Sequence, residues 1–154
     1  MSHFDYCDVL FTDLSANLTQ KLQRVHNVCV RCNTRRTDHI TPSLQELRWS
    51  RLEERRMIHS LSLLYKILST SNPSYLASRF QNLSSLHNLD TRSLHQSLLA
   101  IPLHHTSLYS LSFIVNIARS WNSIPFQVRD CRTLSKFREK LSKYLATNSI
   151  SMKR

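Results

Sequence analysis

Not one of the 154 residues is glycine, where an average chain of that length holds roughly ten. Glycine enters left-handed backbone without a steric penalty. Type I′ hairpins, glycine-ended helices and the tightest turns are therefore closed to this chain. Left-handed positions must fall on other residues, and Asn33, Asn72 and Asn148 are the candidates, since asparagine tolerates that region best. Glycine-rich phosphate loops are excluded outright. What remains is a chain of helices joined by serine- and asparagine-containing loops, no longer polished by selection.

Periodicity agrees. In Arg48–Leu68, Met57, Leu61, Leu64, Tyr65 and Leu68 recur at helical spacing and, with Leu52 five residues ahead of Met57, are expected to form one apolar stripe. Ser50 and Glu53 ahead of it have capping-box spacing. A second helix is expected over Leu14–Cys32, with Leu14, Leu18, Leu22, Val25, Cys29 and Cys32 as its buried stripe. Thr41 with Pro42, and Asn72 with Pro73, open two short helices. Gln81–Thr91 has no firm period and reads as a loop. The stretch Val115–Trp121 has helical character, and Thr133–Leu145 sets Leu134, Phe137, Leu141, Tyr144 and Leu145 on one face. The fold class is mainly α: an irregular bundle of about four to six helices. One short β pair is open to Leu94–Ile101 and Thr106–Val115, where TSLYSLSFIV partly alternates. Residues 1–13 read as an extended N-terminal remnant, 14–146 as the helical region and 147–154 as a frayed tail.

The chain holds 21 Lys and Arg against 10 Asp and Glu, a formal charge of +11. That excess favours polyanions, nucleic acid first and an anionic membrane surface second. The positive charge concentrates in Lys21–Arg56 and from Arg129 onward. Arg35, Arg36, Arg48, Arg51, Arg55 and Arg56 form the first candidate phosphate-contacting set; Lys136, Arg138, Lys140 and Lys143 form the second. The alternative is a solvated basic face partly neutralised by Glu53 and Glu54.

Other constellations read as structural. Tyr6-Cys7-Asp8-Val9 resembles a polymerase metal tetrad, but two-metal catalysis needs clustered carboxylates and Val9 stands where the second would be. His26, Cys29, Cys32 and His39 supply the ligand types of a zinc site. Their spacings miss the usual finger pattern, and both cysteines lie on the expected apolar stripe. His104 and His105 have no acidic or thiol neighbour and read as loop histidines. The chain is expected to be non-enzymatic, with no catalytic residue, metal, cofactor or small-molecule substrate. Cys7, Cys29, Cys32 and Cys131, without a signal peptide, point to a reduced compartment. No apolar run reaches about 18 residues, so no membrane span and no membrane partner is expected; the expected location is intracellular, nuclear or cytoplasmic.

Five segments in order carry a resemblance: Leu22-Gln-Arg-Val-His-Asn27; Asp38-His-Ile-Thr-Pro42; Leu63-Leu-Tyr-Lys-Ile-Leu68 with Pro73-Ser-Tyr-Leu76; His105-Thr-Ser-Leu-Tyr109; and Trp121-Asn-Ser-Ile-Pro125. Together, from about Phe4 to about Ala146, they resemble the C-terminal region of non-LTR (LINE-type, jockey-like) retrotransposon reverse transcriptases, downstream of the polymerase palm. The family joins an endonuclease to an RNA-directed DNA polymerase. The resemblance implies that the catalytic aspartates of both lie elsewhere, and that this region is a non-catalytic helical tail helping to hold template RNA or target DNA. It further implies the polymerase palm as a protein partner. Cys32, where the family commonly has an aromatic, and the missing glycines imply a decaying or truncated copy. A protein-interaction or structural fragment without independent activity is the competing expectation.

Overall fold

The computed structural model describes residues 2–11, 14–33, 38–47, 49–86 and 97–151. The α-helices in chain order are α1 (Ser2–Asp5), α2 (Ala16–Val30), α3 (Ile40–Glu46), α4 (Leu52–Thr70) and α5 (Ser74–Ala77). Then follow α6 (Leu83–Leu86), α7 (Ser107–Ser110), α8 (Phe113–Ser123), α9 (Phe126–Arg129) and α10 (Leu134–Ser151). Asp8–Phe11 and Arg31–Asn33 are single 3-10 turns. The chain is mainly α, and no strand occurs among the described residues; Asn82 and Leu99 form an isolated antiparallel bridge. Two compact units are distinguished, Met1–Met57 and Ile58–Arg154.

In the first unit, α2 begins on a serine cap, with the Ser15 hydroxyl accepting from the Leu18 amide at 3.5 Å. Its inward face is not the expected one. His26 and Val30 are buried and Thr19, Gln23 and Asn27 half-buried, while of the expected stripe Leu14 and Leu22 are half-buried and Leu18, Val25, Cys29 and Cys32 exposed. The buried face is turned about one residue, or 100°, from the apolar stripe. Polar contacts hold this setting. The Gln23 amide nitrogen donates to Asn27 Oδ1 at 2.8 Å and lies 3.3 Å from His26 Nδ1. The His26 ring packs edge-on against Phe4 and obliquely against Trp49, with centroids 5.9 and 5.6 Å away.

Those contacts also explain the N-terminal segment, expected to be extended and found as α1 and a 3-10 turn. Phe4 is held on His26, and Asp5 by Arg55, so tertiary anchors fix residues that lack a pattern of their own. The start of α4 differs as well. Its first helical residue is Leu52, whose amide donates to Gln23 Oε1 at 3.1 Å. Arg51 therefore precedes the helix, and Ser50 and Glu53 fall out of capping-box register. On α3, His39 is the cap residue, its Nδ1 accepting from the Thr41 amide at 3.4 Å, with Thr41 and Pro42 inside the first turn.

The second unit is built on the later turns of α4, with α8 and α10. Leu61, Leu64, Ile67, Val115, Ala118, Trp121, Phe137 and Leu141 are buried. Apart from Ala118, each of these large apolar side chains contributes about 1.5–3 kcal/mol relative to exposure. Tyr65 stacks on Phe137 at 4.8 Å, and its hydroxyl donates to the Cys131 carbonyl at 2.6 Å. Desolvation, then the Cys131 side chain, raises the Tyr65 pKa above its ordinary value. The Thr106–Val115 stretch is helical rather than β. Thr106 Oγ1 accepts from the Tyr109 amide, and the apolar residues from Phe113 repeat at helical spacing into Trp121. Two residues of the Trp121-Asn-Ser-Ile-Pro125 segment clamp the preceding chain. Asn122 exchanges two bonds with the Leu99 backbone at 2.9 and 2.8 Å, and Trp121 Nε1 donates to the Ser97 carbonyl at 3.0 Å. Helix α6 lies within the expected 81–91 loop, and α10 continues to Ser151 through part of the expected frayed tail; residues 87–96 and 152–154 lie outside the described residues.

No asparagine takes a left-handed position among the described residues; Cys7, Ser71 and Ser97 do, with φ of 53°, 52° and 48°. Ser71 directly follows α4, and its amide returns to Ile67 O at 2.9 Å. Asn72 precedes a proline, which biases it toward extended backbone, so the left-handed slot moves one residue earlier. Asn33 and Asn148 instead lie within helical turns.

Candidate nucleic-acid interface

The basic residues divide sharply once they are placed. Arg35, Arg36 and Arg48 lie outside the described residues. Arg51 is exposed on the rim of a groove of about 390 Å³ in the first unit, lined also by Gln20, Gln23, Asn27, Thr41 and Glu53. Arg55 is engaged: its NH2 donates to Asp5 Oδ2, with Nε 2.5 Å from Oδ1, a two-point ion pair whose partners are about three-quarters buried. Arg56 is buried, at 7% exposure. It belongs to the buried row Leu52, Arg56, Ser60, Leu64, a four-residue ridge of α4 that shares Leu52 and Leu64 with the expected stripe. The Arg51–Arg55–Arg56 cluster is thus not one continuous exposed surface. One member faces solvent, one neutralises an aspartate and one lies inside.

The second set is arranged differently. Lys136, Lys140 and Lys143 are exposed on α10 at i, i+4 and i+7. Helical geometry places them within an arc of about 60° over about 10 Å of axis. Phe137 and Leu141 anchor the inward face of the same turns, so this row is held by a fully buried edge. Lys140 Nζ donates to the Gln127 carbonyl at 2.9 Å, which fixes the stem and leaves two of its three donors. Lys143 pairs with Glu139 at 2.7 Å; that hydrogen bond, then the ammonium's charge, lowers the Glu139 pKa. Arg138 stands off the row, its Nε donating to buried Ser62 Oγ at 3.1 Å. Arg132, outside the two candidate sets, is exposed just before α10 and precedes Lys136 by the same four residues that separate Lys136 from Lys140. Arg129 is buried; its NH1 lies 3.4 Å from Ser97 O, and burial lowers its pKa from the ordinary value.

The other candidates resolve into structural roles. His26 is enclosed by rings and His39 caps α3, while Cys29 and Cys32 face solvent; among the described residues these four do not converge on a common ion position. His104 Nδ1 lies 3.1 Å from the Pro102 carbonyl, and Arg119 NH2 lies 2.8 Å from Nε2. That pattern assigns the Nδ1–H tautomer to His104 and makes it a loop brace. Among the described residues, no helix is long and apolar enough to cross a membrane. Comparison with protein-family models, curated proteins and solved structures finds no match to this chain.

Proposed function

We propose that this chain is a non-catalytic helical region of the non-LTR retrotransposon reverse-transcriptase type, gripping RNA or DNA through the phosphate backbone. Two supports of different kinds stand behind this. The ordered sequence segments support the family, and the Lys136–Lys140–Lys143 row of α10 supports the contact. The row is the observation that carries the binding function: three ammonium groups, on one side of one helix, above a fixed apolar edge. Such a row meets successive phosphates without reading bases, so the binding is sequence-tolerant and salt-dependent. An intracellular site of action, nuclear or cytoplasmic, goes with this reading.

The test is binding to a labelled 20-nucleotide RNA and its DNA equivalent over a salt series. Affinity should fall steeply with salt. Replacing Lys136, Lys140 and Lys143 together by glutamine should reduce the log–log salt slope by about 2–3, one condensed counterion fewer per lost contact. Absence of binding at low salt, or a triple variant with wild-type affinity and slope, rejects the assignment.

A second reading, a protein-interaction fragment that packs on a partner such as the polymerase palm, is favoured by another observation. In the second unit Leu103 and Leu108 are 90% and 83% exposed, and a cleft of about 380 Å³ lined by Arg79, Ile101, Leu103 and Tyr109 lies beside them. Self-association on a sizing column, unaffected by nucleic acid and relieved by Leu103→Asp, would favour it.

A further inference from the structure

The solvent face of α2 carries an apolar row that no described residue of the first unit covers. Leu18, Val25 and Val28 are 48%, 53% and 66% exposed. With Lys21 they occupy the a and d positions of two heptads: Leu18 and Val25 at a, Lys21 and Val28 at d. Arg24 falls at g, next to the seam. This is the pattern by which one helix pairs with another, apolar at the seam with the flanking charges choosing the partner. The opposite face of α2 is fixed by the Gln23–Leu52 bond and the buried His26 ring, so the row is held outward.

Charge selects the occupant. No acidic residue occurs between Leu14 and Thr37, and the seam region carries Lys21 and Arg24. A second copy is a poor match. Parallel pairing sets Lys21 against Lys21 at d, and antiparallel pairing sets g against g, where each copy has Arg24. We infer that this face docks an amphipathic helix of a different polypeptide, apolar at a and d and glutamate-rich at e and g. Two heptads form a small interface, so the complex belongs to the weak, transient class.

The experiment uses the full chain and two synthetic 21-residue helices with leucine at a and d. One has glutamate at every e and g; its twin has lysine there. Binding is read by fluorescence anisotropy, with sedimentation reporting self-association. The glutamate peptide should bind at micromolar concentrations and at least about tenfold more tightly than the lysine twin. Val25→Glu should abolish binding while leaving far-UV circular dichroism and Tm unchanged, as befits a half-exposed position. Arg24→Glu should erase the preference between the peptides, and it decides the matter if Val25→Glu lowers Tm. The proposal is overturned by failure of the glutamate peptide to bind, by equal affinity for both peptides, or by wild-type binding in both variants. A dimer of the chain that Val25→Glu dissolves, with neither peptide bound, also overturns it and makes a second copy the occupant.

Discussion

The side-chain oxygen of Gln23 accepts the backbone amide of Leu52 at 3.1 Å, so a residue in the middle of α2 caps the first turn of α4. The same side chain donates to Asn27 and reaches His26. One amide thus satisfies an orphan helix donor and two side chains at once. Gln23→Leu should destabilise the protein by about 1–3 kcal/mol, the combined loss of a cap and of buried polar partners. Ser50→Ala, at the position the sequence nominates as the cap, should stay within about 0.5 kcal/mol. Urea unfolding of the two variants separates the assignments, and a larger effect at Ser50 would refute the register given for α4.

His26 gives the protein an acid-side weakness. Burial lowers its pKa from the ordinary 6.5, and Arg55 adds to this, against smaller opposing effects from Asn27 and Asp5. The unfolded chain takes up this proton near pH 6.5, whereas the folded protein resists it. Stability should therefore hold above 6.5 and decline below it toward the lowered value, by at most about 1.4 kcal/mol per pH unit. His26→Phe should flatten that segment of the stability profile. Unfolding midpoints at pH 7.5, 6.5 and 5.5 provide the comparison, and an unchanged slope in the variant would assign the effect to other groups.

Serine in left-handed backbone is unfavourable, and a chain without glycine has accepted it at Ser71 and Ser97. Ser71→Gly and Ser97→Gly should each raise stability by about 0.5–1 kcal/mol, steric relief exceeding the added freedom of the unfolded chain. Thermal melts report this directly; a lowered Tm in both would contradict the assigned backbone.

Glu139 pairs with Lys143 beside the cationic row of α10. Glu139→Gln should strengthen binding to RNA or DNA by about two- to fivefold at low salt, with the gain vanishing as salt screens it. Weaker binding, or a gain that persists at high salt, would remove Lys143 from the contact.

The Tyr65 hydroxyl and ring do different work. Tyr65→Phe removes the bond to Cys131 and keeps the stack on Phe137, which predicts a loss of about 0.5–1.5 kcal/mol. Phe137→Ala empties a fully buried site between Tyr65 and Trp121, and about 3–5 kcal/mol should be lost. Equal effects would mean that the stack contributes little.

Much of the helical layout was legible in the residues. The stripe Leu61, Leu64, Tyr65, Leu68 and the row Leu134, Phe137, Leu141 announce α4 and α10, because each is long and anchored by large apolar groups. The short helix after Thr106 was obscured by partial alternation of the same side chains, which fits a strand and two capped helical turns equally well. On α10 the spacing of Lys136, Lys140 and Lys143 was enough to put them on one side. The sequence also suggested that Arg55 and Arg56 were available, but it carried no sign of Asp5, fifty residues away, or of the inward four-residue ridge.

Composition and period determined that this is a mainly helical, strongly basic chain, and that its left-handed positions would fall on residues other than glycine. Tertiary structure alone decided which face of α2 turned inward. That helix has an apolar edge and a polar edge of comparable width, and periodicity cannot choose between them. The choice fell to partners distant in sequence: the Leu52 amide for Gln23, and the rings of Phe4 and Trp49 for His26. Pairing Gln23 with the Leu52 amide and enclosing the His26 ring between Phe4 and Trp49 placed the polar edge inside and left Leu18, Val25 and Val28 exposed.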